Sequence, residues 1–318
     1  MKFKTALAAI LLAFAGAAIA KDYPSKPVRL VDPYATGGST SVVSMAISQK
    51  FEEITGQAMV VDHRPGAGSN IGSDIVAKAA PDGYTLLIGS SSLAINPHLY
   101  SKMPFDPLKD LAPIIILIRT PNVLAVHPSL PVHSVKELID YARKRPGKLN
   151  YGSSGNGATN NMAMELFKTM AHLDIVHVPF KGGGEAMAAL LGAHVQMMFN
   201  PASTLAPQDK AGRLRMIAVG SRERVSGLEL PTISESGLPG FESNVWFGLF
   251  APAGTPAPII AKLNADMTQI LQDEKVSTTL NKAGLTPVGG SPEDLRDLLA
   301  KDYKRWSAVV KETGAKIE

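Results

Sequence analysis

Cysteine is absent from all 318 residues, so no disulfide framework is available and stability must come from packing. The same absence excludes a lipoprotein, because lipid attachment needs a cysteine after a leader. Charge of one sign is also scarce: 32 basic against 28 acidic residues give +4, without any long Lys/Arg run, which lends no support to nucleic-acid or membrane-surface binding. The seven histidines (His63, His98, His127, His133, His172, His177 and His194) show neither HExxH nor paired spacing, so no metal site is expected. A Walker A loop is missing, since Gly37-Gly38 runs into Ser39-Thr40-Ser41 with no lysine. Gly66-Ala67-Gly68-Ser69-Asn70-Ile71-Gly72 is one residue too long for GxGxxG, and no organic cofactor is expected. Gly152-Ser153-Ser154-Gly155-Asn156 and Gly89-Ser90-Ser91-Ser92-Leu93 each lack the last glycine of a GxSxG elbow. No His or Asp is tied to either cluster by a recognisable pattern, which leaves a secreted serine hydrolase acting on carboxylic esters as the rival reading, with no catalytic residue assigned.

What is present begins with a leader. Lys2 and Lys4 precede an apolar stretch from Ala6 to Ala15 and an Ala18-Ile19-Ala20 motif, the three parts of a secretory signal. Cleavage is expected after Ala20, leaving 318 − 20 = 298 residues, enough for two lobes rather than one. Without Lys2 and Lys4 the net charge falls from +4 to +2. A free periplasmic protein is the simplest outcome.

Apolar β-rich runs at Val28–Val31, Met59–Val61, Tyr84–Ile88, Ile114–Ile118 and Val123–Val126 alternate with helical patterns such as Val42–Ile54 and Ile71–Ala79. The rhythm continues through Lys148–Tyr151, Asn161–Met170, Ile175–Val178, Glu185–Leu191, Val195–Phe199 and Arg215–Ala218, and ends in helices over Pro258–Leu271 and Pro292–Thr313. That alternation predicts an α/β fold with mostly parallel strands. No repeat, low-complexity tract or flexible linker interrupts it. Two lobes would then share strands crossing near Thr120–Pro121 and Ser243–Phe247, giving 21–120 with 247–318 as lobe 1 and 121–246 as lobe 2, with the ligand between them.

Glycine and hydroxyl residues gather in four clusters, each where an apolar run ends and a helix can begin: Asp32–Ser41, Ile88–Pro97, Asn150–Asn161 and Val178–Ala186. Glycine lets the backbone approach a ligand, and a helix start offers unpaired N–H groups at the positive end of its dipole. Four such clusters predict an anion pocket. Its neutral donors would be Ser39, Thr40, Ser90, Ser91, Ser92, Ser153, Ser154, Thr159, Asn96 and Asn156. Thr40, Ser154 and Thr159 fit a helix N-cap equally well, and capping is compatible with binding. Tyr34 and Phe180 precede glycine pairs, where an aromatic walls a pocket or joins the core. Lys181 is the only cation inside a cluster, and it fits a solvated surface lysine as well.

These clusters, in this order, resemble the Bug/TctC family of periplasmic solute receptors that serve tripartite tricarboxylate transporters. The resemblance runs through Pro33-Tyr34-x-x-Gly37-Gly38, His63-Arg64-Pro65-Gly66-Ala67-Gly68-Ser69-Asn70-Ile71-Gly72, Ala80-Pro81-Asp82-Gly83-Tyr84-Thr85-Leu86 and Ile95-Asn96-Pro97. It continues in Tyr151-Gly152-Ser153-Ser154-Gly155-Asn156-Gly157, His177-Val178-Pro179-Phe180-Lys181-Gly182, Ser236-Gly237-Leu238-Pro239-Gly240 and Gly248–Pro256. It implies a two-lobed fold of the type II periplasmic-binding-protein kind, closing on a small carboxylated molecule, working as a monomer with membrane transporter subunits. Together with the clusters it places the cleft at Tyr34, Gly38, Ser39, Thr40 and Ser90, Ser91 and Ser92 of one lobe and Ser153, Ser154, Thr159, Lys181, Gly182 and Asn200 of the other. Two departures stand out: Ser41 and Asn200 occupy positions where many relatives carry Asp. Each removes a negative charge from the expected cleft, which disfavours an amine-bearing ligand and favours a carboxylate without a cationic group.

Overall fold

The computed structural model describes residues 23–314 and 316, apart from 226. The leader expected at residues 1–20 lies outside the described residues. Ten strands are present among them: β1 (Val28–Asp32), β2 (Met59–His63), β3 (Thr85–Ser90), β4 (Leu111–Val126), β5 (Asn150–Ser153), β6 (Val176–Pro179), β7 (Met197–Pro201), β8 (Arg215–Val219), β9 (Asn244–Pro252) and β10 (Thr286–Gly289). The helices are α1 (Ser39–Thr55), α2 (Asn70–Ala77), α3 (Ser92–Leu99), α4 (Val135–Arg143), α5 (Thr159–Ala171), α6 (Gly183–Leu191), α7 (Ala202–Lys210), α8 (Ala257–Gln272), α9 (Glu274–Lys282) and α10 (Pro292–Thr313). None of the described helices is long and apolar enough to cross a membrane.

The strands follow the order β2-β1-β3-β9-β4-β7-β5-β6, with β8 and β10 also paired to β4. The α/β rhythm holds, but the expectation of mostly parallel strands needs correction at the centre. β1 pairs in parallel with β2 and β3, and β5 with β6 and β7, each through a helical crossover. Between these two groups lie β4 and β9, antiparallel to each other and to β3, β7, β8 and β10. The runs Ile114–Ile118 and Val123–Val126 are one strand. Arg119-Thr120-Pro121 interrupts the apolar pattern like a turn, yet β4 continues through it while changing partners: Leu111–Pro121 pairs with β9, and Asn122–Val126 with β7. Pro121 is tolerated because it stands where one ladder hands over to the next.

Each half is packed on both faces, which is why its strands read as continuous apolar runs. In β3, Leu86 and Ile88 join Val28, Leu30, Ile47, Phe51 and Leu263 on one face, while Leu87 turns to Val31, Ile95, Phe250 and Trp306 on the other. In the second half Leu124 and Val126 meet Tyr151, Phe167 and Phe199, and Val123 and Ala125 meet Leu190, Met198 and Leu205. This period-two division fixes the register and holds the strand ends, and the helix starts after them, in place.

Candidate ligand-binding cleft

A narrow cavity of about 50 Å³ lies where the two halves face each other. On this measure one water needs roughly 10–15 Å³, so the cavity is of small-molecule size. The β1–α1 connection supplies Tyr34, Gly38, Ser39 and Thr40, and the end of β3 supplies Ser90. From the other half come Ser154, Ala158, Thr159 and Asn160 between β5 and α5, Gly183 of α6, and Asn200 and Pro201 ending β7. The central strands contribute Asn122 from β4 and Val245 and Phe247 from β9.

Four helices begin on this wall, and none is capped by a side chain. The N-cap residues are Gly38 for α1, Ala158 for α5, Gly182 for α6 and Pro201 for α7; no such residue offers a capping oxygen. Of the other helices, α4 is capped by Ser134, α9 by Asp273 and α10 by a Ser291–Asp294 capping box, while α2, α3 and α8 also lack a side-chain cap. It is the convergence of four such starts on one cavity, not the missing cap alone, that sets the wall apart. The three capped helices also carry acidic residues in the first turn, whereas α1, α5 and α7 have none. The one acid in the first turns of the cavity helices, Glu185 of α6, turns back to accept from the Lys181 backbone at 3.1 Å. Helix starts left without acids or caps retain N–H groups and dipole ends for an anion. No charged side chain of the described residues lies on the wall.

The polar wall is already oriented. Tyr34 Oη is 2.9 Å from both Ser90 Oγ and Ser92 Oγ, and burial pushes its phenol above the ordinary value, so it stays protonated. Asn160 Oδ1 accepts from Ser154 N at 3.2 Å, while its Nδ2 donates to Ser154 Oγ at 3.0 Å and to Asn200 Oδ1 at 3.5 Å. Asn200 Nδ2 donates to Thr204 Oγ1 at 2.7 Å.

Around the mouth the halves touch through glycine. A Cβ on Gly68, held at φ +59°, would lie 2.1 Å from Asn156 O, and one on Gly157, at φ +79°, would lie 2.3 Å from Asn96 Oδ1. Tyr100 Oη also donates to Asn156 O at 3.2 Å. These glycines make room for the opposite half, not for a ligand.

The model of the TctC family, described as the tripartite tricarboxylate transporter family receptor, matches residues 43–315. The chain belongs to this family. Its relatives include the protein BugT of Bordetella pertussis, 35% identical over 98% of each chain. Among solved structures it is similar to R. palustris Rpa4515 with adipate, at 38% identity and TM-score 0.89 over 93% of this chain and 100% of that one. It is also similar to MatC from Rhodopseudomonas palustris with bound malate, at 32% identity and TM-score 0.86 over 91% of this chain and 100% of that one.

In this receptor Tyr34, Gly38, Ser39, Thr40, Ser90, Ser154, Thr159 and Asn200, among the residues expected at the cleft, line the cavity. Five other expected residues do not line it. Ser91 Oγ accepts from Trp246 N at 3.1 Å, Ser92 supports Tyr34 from behind, and Ser153 Oγ lies 2.6 Å from His177 Nε2. Lys181 is exposed beside a separate hollow at the mouth, and Gly182 packs on Ala35, leaving its neighbour Gly183 on the wall. Ser41 is buried but off the wall, unlike Asn200. Asn160 and Gly183 sat inside the glycine clusters without being singled out. Asn122, Ala158, Pro201, Val245 and Phe247 carried no signal of their own.

Two titrating groups behind the wall, one buried and one half-buried, give the receptor opposing pH responses. Asp32 is fully buried; it accepts from Tyr34 N at 3.1 Å and Ser44 Oγ at 3.4 Å, with His63 Nδ1 3.6 Å away. Burial pushes its carboxyl up to about 6, against the lowering effect of His63 and the donors. An unfolded Asp titrates near 3.9, so the folded state binds more protons across that window and Asp32's contribution falls as pH rises from about 4 to about 6. Burial instead pushes His177 down to about 4. The unfolded state then binds the extra proton, and this contribution is lost as pH falls from about 6.5 to about 4. Thermal melts across this range should show Asp32→Asn gaining on the wild type as pH rises and His177→Gln losing ground. Profiles parallel to the wild type would refute both assignments.

Proposed function

We propose that the chain is a non-enzymatic periplasmic receptor that captures a small carboxylated molecule between its lobes and delivers it to the membrane subunits of a tripartite tricarboxylate transporter. The convergence of four uncapped helix starts on a small cavity with an uncharged wall carries this reading, since it solvates an anion without a counter-charge. The relatives solved with adipate and malate support the ligand class. On this reading the lobes are 21–120 with 247–318, and 121–246, and they close as the ligand touches both. Contacts come from Tyr34, Gly38, Ser39, Thr40 and Ser90 on one side and Ser154, Thr159 and Asn200 on the other. Secretion by the leader, with cleavage after Ala20, and action as a monomer complete the proposal.

One observation favours a hydrolase: the 2.6 Å contact between Ser153 Oγ and His177 Nε2, which the sequence did not foretell. Ser153 is fully buried and off the cavity wall, and a nucleophile must reach its substrate. The pair instead ties the end of β5 to β6. Thermal shifts with a panel of carboxylic acids and their esters separate the readings. A bound acid at about 100 times its Kd adds about 2.7 kcal/mol, roughly 4 °C for a chain of this size, with no ester turnover. Ester hydrolysis, or no stabilisation by any acid, would overturn the receptor reading.

A further inference from the structure

Asn122 stands at the point where β4 leaves β9 for β7, directly opposite Pro201 and beside Val123, which faces Asn200. It is fully buried and forms part of the cavity wall. Its backbone is committed on both sides: Asn122 N donates to Ser243 O at 3.3 Å, and Gly220 N donates to Asn122 O at 2.6 Å. Gly220 has no room for a side chain, since a Cβ would lie 2.9 Å from Ser243 O and 3.0 Å from Asn122 O. The Asn122 amide is therefore fixed where both crossing strands are tied together. Its Nδ2 donates to Ser243 Oγ at 2.8 Å, and its Oδ1 is buried with no hydrogen-bond partner among the described residues.

A buried amide oxygen without a donor is uncommon and destabilising unless something else supplies the hydrogen. The helix starts around this cavity offer donors, so they can satisfy a carboxylate, but a carboxylate has no hydrogen to give Asn122. An ammonium would supply one, yet it would sit among the positive ends of four helices with no carboxylate on the wall. A hydroxyl meets both demands.

Building on the receptor reading, we propose that Asn122 is a specificity-determining residue whose Oδ1 accepts a hydrogen bond from a hydroxyl on the bound carboxylate. The receptor thereby selects hydroxycarboxylates over acids of the same skeleton that lack the hydroxyl. The contact joins the ligand to the Asn122–Gly220–Ser243 junction, so the same hydroxyl also registers at the point where the chain passes between the halves.

Calorimetry on the purified receptor with two matched pairs, malate against succinate and 2-hydroxyadipate against adipate, tests this. In at least one pair the hydroxylated acid should bind roughly tenfold tighter or more, because its analogue leaves the buried oxygen unpaired. Asn122→Leu should collapse the ratio between the two acids of that pair toward one, whatever change in affinity the two acids share, because only the hydroxylated acid loses a partner that its analogue never had. Should that variant fail to fold, Asn122→Ala and the wild-type ratio still decide the matter. Acids that bind without preference, or a preference that survives in a folded variant, would overturn the role of Asn122 and leave the receptor reading standing. Failure of every acid to bind would overturn both.

Discussion

Gly38→Val should abolish ligand binding while leaving the receptor folded. Gly38 is the N-cap of α1 at φ −94°, a backbone conformation open to any residue, so nothing about the chain's path demands glycine there. A Cβ at this position meets no heavy atom within 4 Å, and the residue lines the cavity. The valine side chain would occupy a space of only about 50 Å³ and cover the start of α1. The folding cost should be of the order of 1 kcal/mol, that of a poor N-cap, whereas affinity should fall by roughly a hundredfold or more, beyond 2.7 kcal/mol. Calorimetry on a variant shown to be folded by circular dichroism checks this. Normal affinity would place the ligand elsewhere.

Asn200→Asp should weaken binding of the same acid by on the order of 1 kcal/mol or more, tenfold upward, from a like-charge contact in a partly desolvated site. Asn200 is 4% exposed, on the wall, held by Thr204 and reached by Asn160. A carboxylate there would repel the ligand and also draw on the same helix starts. The effect should be larger than for Ser41→Asp, because Ser41 lies off the wall. Titration calorimetry near neutral pH, with the wild type in parallel, measures it. Equal or tighter binding by Asn200→Asp would contradict an anion-selective cleft and reopen the case for a ligand bearing an amine.

The parts of this site that depend on local chain order were legible in the sequence. Gly38, Ser39 and Thr40 follow a strand and open a helix, as do Ser154 and Thr159, and residue type and position announce both. Contributions that depend on which strands become neighbours were not legible. Asn122, Val245 and Phe247 reach the cavity only because β4 and β9 run antiparallel through its floor, and β4 itself reads as two runs because Pro121 looks like a terminator. Helices α3 and α7 were hidden by their internal Pro97 and Pro207. The glycine clusters were visible but their duties were not: Gly68 and Gly157 serve the approach of the two halves, a relation no single cluster encodes. A Ser134-x-x-Glu137 pattern did mark the start of α4, whereas the N-cap reading of Thr40 and Thr159 fails, since the caps of α1 and α5 are Gly38 and Ala158 and neither is closed by a side chain.

The missing caps bear on how the molecule moves as well as on what it binds. A helix whose first turn has no side-chain acceptor frays at that end, and here the ends in question belong to both halves. An empty receptor should thus be locally loose around the cleft, with its opening turns exchanging amide hydrogens readily, while the strands beneath stay protected. Filling the cleft should quiet the starts of α1, α5 and α7 at once, α6 already having Glu185 in its first turn, and the ordering entropy this consumes should limit affinity. In return, a docking partner meets a loaded receptor that differs from the empty one in stiffness, not only in shape.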